Sequence, residues 1–142
     1  MACKAYFDGS CFLNYCGIGY VIRDPHGYPL CEGSGFVGRG DALKAEYLAL
    51  SALVEHLREL EIDNAVIHGD SRTVIGQVTG FMNTRNTNRF LEIIMRMRGF
   101  FSEHPGWKLK WIPRQENGRA DALATQGLSE MKYQERAAAR QM

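Results

Sequence analysis

Apolar residues recur along this chain with three different spacings, and each spacing predicts its own kind of element. Ala5, Tyr6 and Phe7 are consecutive, which suits a strand covered on both faces. The strand is expected to run from Cys3 and stop on Asp8, where Gly9 and Ser10 break the pattern. From Gly17 to Arg23 the spacing is two: Ile18, Tyr20 and Ile22 alternate with Gly19, Val21 and Arg23. Asp24-Pro25-His26-Gly27 has the makeup of a turn, and a third strand follows from about Tyr28 to Val37. These connections are too short for crossover helices, so the three strands should pair antiparallel.

The spacing then lengthens to that of a helix. Asp41 can cap a helix running to about Leu60, with Leu43, Tyr47, Leu50, Val54 and Leu57 on one stripe. Asn64 to Gly69 reads as a short strand ending at Asp70; it follows a helix, so it should lie parallel to a central strand. Ser71 to Val78 is a short helix closed by Gly80, and Phe81 to Asn88 a polar connection. A helix from about Arg89 to Phe101 turns Phe90, Ile93, Ile94, Met97 and Phe101 inward. Trp107 to Ile112 alternates again as a last strand, which Pro113 ends, and Asn117 caps a final helix through about Leu128. Residues 129–142 are strong helix formers with little apolar patterning, a tail that is helical or loosely docked. The order is β-β-β-α-β-α-α-β-α, an α/β chain with a five-stranded mixed sheet flanked by helices.

Composition sets bounds on this picture. A chain of 142 residues fits one domain with a real core, here residues 1–142. No apolar run approaches the roughly 20 residues of a membrane span, and the N-terminus lacks a secretory signal's long apolar core. The four cysteines, Cys3, Cys11, Cys16 and Cys31, form no Cys-x-x-Cys pair, which argues against zinc and for reduced thiols in a cytoplasmic protein. Net charge is only +1, but its distribution is uneven. Arg72, Arg85, Arg89, Arg96 and Arg98 face one acid, Glu92; Lys108, Lys110, Arg114 and Arg119 face Glu116; Asp41 to Asp63 is acidic. Such polarity can give one basic face for a phosphate backbone, or merely solvated helix surfaces.

Four carboxylates are the candidate chemistry: Asp8, Glu46, Asp70 and Asp121. Singly, they could be a turn former, a surface helix residue, a helix cap and a favourable first-turn charge. Together they have a common place. Asp8 and Asp70 are expected at strand ends, on one edge of the sheet if their strands are parallel. Glu46 borders the apolar stripe of its helix, and Asp121 lies beside Ala124 and Leu128 on an inward face. Four acids gathered there would raise one another's pKa values unless a cation offsets them. An all-oxygen set points to magnesium or manganese rather than zinc.

The motifs around these acids are Tyr-Phe-Asp8-Gly-Ser-Cys, Lys-Ala-Glu46-Tyr-Leu-Ala-Leu, Gly-Asp70-Ser-Arg-Thr-Val-Ile-Gly-Gln and Trp-Ile-Pro-Arg-Gln-Glu-Asn117-Gly-Arg-Ala-Asp121-Ala-Leu-Ala. In this order and spacing, from Ala5 to Leu128, the chain resembles type 1 ribonuclease H, in its compact archaeal, plant and bacterial branch without the basic protrusion. The resemblance implies the ribonuclease H-like fold and endonucleolytic cleavage of the RNA strand of RNA/DNA hybrids. Asp8, Glu46, Asp70 and Asp121 would then be catalytic and metal-binding. Two ions, Mg2+ or Mn2+, would work with substrate bound and leave 5′-phosphate and 3′-hydroxyl ends.

The resemblance also places Gly9, Ser10, Cys11 and Asn14 near the 2′-hydroxyl that separates RNA from DNA. It puts Phe81 in a DNA-strand channel, with a core role as the alternative. Thr84 or Asn86 would grip a DNA phosphate, and Arg72, Arg114 and Asn117 complete the expected substrate contacts. The partner would be a hybrid duplex, met by a monomer away from membranes.

Three departures stand out, the first two bearing on hybrid contacts and substrate preference and the third on product release. Ala42 and Leu43 stand where many relatives have an Asn pair, Arg72 where they often have Gln, and the Trp111–Asn117 loop lacks their histidine. The changes at Ala42, Leu43 and Arg72 keep open a competing reading, a nuclease of this fold preferring double-stranded RNA; a non-catalytic nucleic-acid-binding module is a third reading, which an incomplete acid set would favour.

Overall fold

The computed structural model describes residues 1–85 and 88–140, with side chains described through residue 130. Three strands come first: β1 (Cys3–Phe12), β2 (Tyr15–Arg23) and β3 (Pro29–Arg39). Then follow α1 (Ala42–Glu59), β4 (Ala65–Gly69), α2 (Arg72–Thr79), α3 (Leu91–Glu103), β5 (Trp107–Trp111) and α4 (Gly118–Arg140). The sheet order is β3-β2-β1-β4-β5. β1–β2 and β2–β3 are antiparallel, while β4 runs parallel to both β1 and β5, as the connection lengths require.

Local chemistry explains the boundaries. Asp24 accepts from the backbone of His26 and Tyr28, and Gly27 closes that turn at φ 91°. Asp41 caps α1 by accepting from the Lys44 amide at 3.0 Å. Ser71 caps α2 through the Val74 amide, and Gly80 ends it in the left-handed region at φ 85°.

Helices α1 to α3 share one face of the sheet. Ala5, Phe7, Ile22 and Ile67 meet Tyr47, Leu50, Leu53, Val54, Val74, Ile94 and Met97 there, all fully buried. The other face is covered by α4, which packs on β1, β2 and β3. Its approach is close enough that Cβ atoms at Gly17 and Gly19 would land on α4 backbone atoms.

Several expectations are corrected. β1 does not stop at Asp8 but continues to Phe12, because Gly9 to Phe12 stay paired with β2. A two-residue turn of Leu13 and Asn14, both at positive φ, closes this hairpin. That register sets Cys11 opposite Cys16, with Cα atoms 4.2 Å apart, and a disulfide joins them. The expected reduced state therefore holds only for Cys3 and Cys31. Ending β1 at Asp8 and starting β2 at Gly17 left Cys11 and Cys16 outside the strands and hid the pairing. Past Leu128 the helical reading of the tail holds, with α4 running on to Arg140. Asn86 lies outside the described residues.

Candidate functional site

Asp8 lies two residues beyond Tyr6, the last β1 residue paired with β4, so it sits where β1 and β4 part. Asp70 directly follows β4 and is half-buried. Glu46 comes from the second turn of α1, and Gly9 lets that turn press against β1. A Cβ at Gly9 would lie 2.6 Å from the backbone carbon of Ala45. Oxygens of Asp8, Glu46 and Asp70 all fall within 4.8 Å of one another. Asp121, half-buried in the first turn of α4, interacts with Asp8 but stands outside this group of three.

The backbone and a buried amide hold the acids in place. The Gly9 amide donates to Asp8 Oδ1 at 3.0 Å and to Glu46 Oε1 at 3.3 Å, tying the two carboxylates together. Asn117 Nδ2 donates to Asp70 Oδ2 at 3.1 Å and to the Phe7 carbonyl at 2.9 Å. Asn117 thus fixes Asp70 to the strand that carries Asp8. The Trp111 indole N–H donates to the Asp70 carbonyl at 3.1 Å, and the Arg72 guanidinium stacks 3.7 Å over the Trp111 ring.

Burial dominates the electrostatics. Asp8 is only 4% exposed and Glu46 8%. Desolvation raises the Asp8 carboxyl to about 6; the hydrogen bond with Glu46 opposes this, while Asp70 and Asp121 add to it. Desolvation pushes Glu46 up to about 10, aided by its hydrogen bond with Asp8 and by the charges of Asp8 and Asp70. The carboxylate form of this pair is therefore costly without a compensating positive charge.

The donor set fits a divalent cation. All its ligands are oxygens, and Glu46 Oε2 is buried with no hydrogen-bond partner among the described residues. A buried carboxylate oxygen without a donor, on a residue of an acid cluster, is what a cation would satisfy.

The remaining residues singled out from the sequence are spread around this centre. Gly9, Ser10 and Cys11 follow Asp8 along β1, with Cys11 held in its disulfide. Asn14 is exposed in the hairpin turn at φ 66°, and its carbonyl accepts from Gly40. Phe81 is 95% exposed, so the core alternative for it falls. Arg98 holds Thr84 Oγ1 at 3.4 Å while also donating to the Gln77 carbonyl. Arg72 and Arg114 are exposed.

Asn117 is 1% exposed, so it faces the acids rather than solvent, and its side chain makes no bond to the α4 amides among the described residues. Its carbonyl accepts the first helical bond, from Asp121. Sequence reasoning missed the bridging of Asn117 and the part played by Trp111. Two signals were available: the four-residue offset of Asn117 from Asp121, and the parallel register that brings Trp111 level with Gly69.

Residues 6–127 match the family model described as reverse transcriptase-like. The ribonuclease HI of Halobacterium salinarum is 33% identical over 128 residues, which is 89% of this chain. A bifunctional protein of Mycobacterium tuberculosis is 26% identical over 113 residues. The chain spans 64% of the length of the Halobacterium relative and 31% of the mycobacterial one. Among solved structures, ribonuclease H1 of the halophilic archaeon Halobacterium salinarum superposes with a TM-score of 0.85 at 32% identity. That match covers 92% of this chain and 99% of the other. LC11 ribonuclease H1, isolated from compost by a metagenomic approach and solved in complex with an RNA/DNA hybrid, gives 0.83 at 27% identity. It covers 91% and 98% of the two chains.

Proposed function

Because this chain belongs to the type 1 ribonuclease H family, we propose that it is a metal-dependent endonuclease hydrolysing the RNA strand of RNA/DNA hybrids. The observation that carries the reading is the convergence of Asp8, Glu46 and Asp70 within 4.8 Å, from a strand, a helix and a strand end far apart in sequence. A complete acid set weighs against the non-catalytic binding module.

Asp8, Glu46, Asp70 and Asp121 would hold Mg2+ or Mn2+, with two ions present once substrate is bound. When bound, such ions neutralise the scissile phosphate, favour ionisation of the attacking water and offset charge on the departing 3′ oxygen. The chain itself supplies position. Gly9 donates one amide to two of the acids, and Asn117 ties Asp70 to β1, so the oxygens need little rearrangement. No side chain need act as a covalent nucleophile. Products would carry 5′-phosphate and 3′-hydroxyl ends.

The resemblance supplies the proposed substrate contacts. Gly9, Ser10, Cys11 and Asn14 would read the 2′-hydroxyl beside Asp8. Phe81, projecting into solvent, would meet the DNA strand, with Thr84 and Asn86 nearby in sequence for its phosphates. Arg72 and Arg114 would add cations close to Asp70 and to the loop after β5. The reading takes the enzyme as a cytoplasmic monomer away from membranes. Among the described residues no helix is long and apolar enough to cross one. A reducing compartment would open the Cys11–Cys16 bridge, and strand pairing would then hold the hairpin alone.

The test is a panel of labelled 12-mers, comparing RNA/DNA, RNA/RNA and DNA/DNA duplexes with Mg2+ or Mn2+. Cutting of the RNA strand in the hybrid alone is the expected result, lost in Asp70→Asn. Preferential cutting of RNA/RNA would transfer the assignment to the double-stranded-RNA reading, which Ala42, Leu43 and Arg72 motivate. No cutting of any duplex at high enzyme would leave only a binding module.

A further inference from the structure

The face of the sheet that α4 covers is only half covered: α4 packs on β1, β2 and β3, while the outward side of β4 and β5 continues beyond it. Strand register arranges the side chains there in two rows. Arg23, Lys4, Val66 and Lys108 are successive cross-strand partners in one row; Val21, Tyr6, His68 and Lys110 form the next. Rows two residues apart are separated by about 7 Å and neighbouring strands by about 4.8 Å. Lys4, Lys108 and Lys110 are exposed, and no carboxylate forms an ion pair with them or with Arg23 among the described residues. Glu116 lines the patch, and Glu32, paired with Arg119 beside it, also acts on Arg23.

An aromatic pair sits among these cations. The Tyr6 and His68 rings stack 4.5 Å apart at 15°, and His68 Nδ1 lies 2.9 Å from the Ala5 carbonyl, which fixes the ring. A concavity of about 170 Å³ lies on one side, lined by Tyr6, Arg23, Asn117 and Arg119. A second, of about 400 Å³, lies on the other, lined by Lys4, Pro25, Val66, His68 and Lys110. The first adjoins the acid cluster directly, since Asn117 lines it and also binds Asp70.

We propose that this open half-sheet, with Lys4, Lys108, Lys110 and Arg23 around the Tyr6–His68 stack, binds a single-stranded nucleic-acid segment flanking the duplex that the acids engage. Cations in rows at roughly phosphate spacing suit a backbone, and ring faces between them suit unpaired bases. An acidic peptide would use the lysines but leave the stacked rings unexplained. The inference rests on the proposed hybrid substrate for what lies at the acids, but its own binding step needs no cleavage.

The experiment compares a blunt 12-bp RNA/DNA hybrid with the same hybrid bearing a ten-nucleotide 5′ or 3′ single-stranded extension. Anisotropy in EDTA reports binding without turnover. The wild-type chain should bind one extended form roughly tenfold more tightly than the blunt one. Lys4→Glu/Lys108→Glu/Lys110→Glu should erase that gain and leave blunt-hybrid affinity and cleavage within twofold. The corresponding triple Ala variant should lower the salt slope of the extension's contribution by about 2, three contacts at the single-strand value. An extension that adds no affinity to the wild-type chain, or a gain that survives in both triple variants, overturns the inference. Neither result touches the cleavage assay, and a chain that cuts nothing can still pass or fail here.

Discussion

Asn117 shows how much of this site depends on a side chain that holds other side chains in place. Its amide nitrogen links Asp70 to the Phe7 carbonyl, one residue before Asp8, from a position 1% exposed. Asn117→Ala would leave that carbonyl and one Asp70 oxygen without their donor in a buried setting. The expected cost is about 1–3 kcal/mol of stability, read as a lower urea midpoint with unchanged m. Turnover should fall by about tenfold or more while KM holds within twofold, because Asp70 loses its anchor and substrate contacts do not. Unchanged turnover would reduce Asn117 to a packing residue with no part in positioning Asp70. Asp8 stood out in the sequence because an acid ending an apolar strand carries a cost that demands a reason, while Glu46 and Asp70 stood out by position, beside a helix stripe and at a strand end. The amide joining them did not, since an Asn ahead of a helix reads equally well as a cap.

At the scale of elements, helix patterning was the most legible feature, and strand ends the least. The α1 stripe of Tyr47, Leu50, Val54 and Leu57 is buried as the spacing demands. Gly9 and Ser10 misled because glycine usually breaks strands, whereas here Gly9 is required by the approach of α1. Gly19 plays the same part for α4 on the opposite face: a Cβ there would strike the Ala120 carbonyl oxygen and the Ala124 nitrogen. Those atoms are helix backbone and cannot rotate away. Gly19→Val should therefore lift α4, destabilising the fold by about 1–3 kcal/mol in urea titration. It should also cut hydrolysis disproportionately, since α4 carries Asp121 beside Asp8. A variant that loses stability but keeps the wild-type rate would separate α4 packing from the site.

For the molecule as a whole, the fold sets a conflict between burial and charge, and the proposed cation resolves it. The antiparallel hairpin followed by parallel additions was readable from connection lengths. That Asp121 would meet Asp8 yet fall outside the group of three was not, because it depends on how closely α4 settles on glycines of β2. Without a cation, Asp8 titrates at about 6 and Glu46 at about 10, each above its value in an unfolded chain. Between those limits the folded state binds more protons than the unfolded one. Stability from these groups is thus complete below about pH 4 and is lost as pH rises through about 6 and towards 10. A divalent cation prefers the deprotonated set, so its stabilisation must grow with pH. His68, held below its usual value by burial and by Lys110 and Lys4, works in the opposite sense, so the comparison needs a reference lacking one acid.

That comparison is the thermal midpoint of the wild-type chain and of Asp8→Asn, each in EDTA and in saturating Mn2+, from pH 5 to pH 9. The account predicts that the wild-type gain from Mn2+ widens with pH by roughly 5 °C, and that Asp8→Asn removes most of both the gain and its pH dependence. A cation effect equal at pH 5 and pH 9, or one that Asp8→Asn leaves intact, would contradict the assignment of these carboxylates as a metal centre.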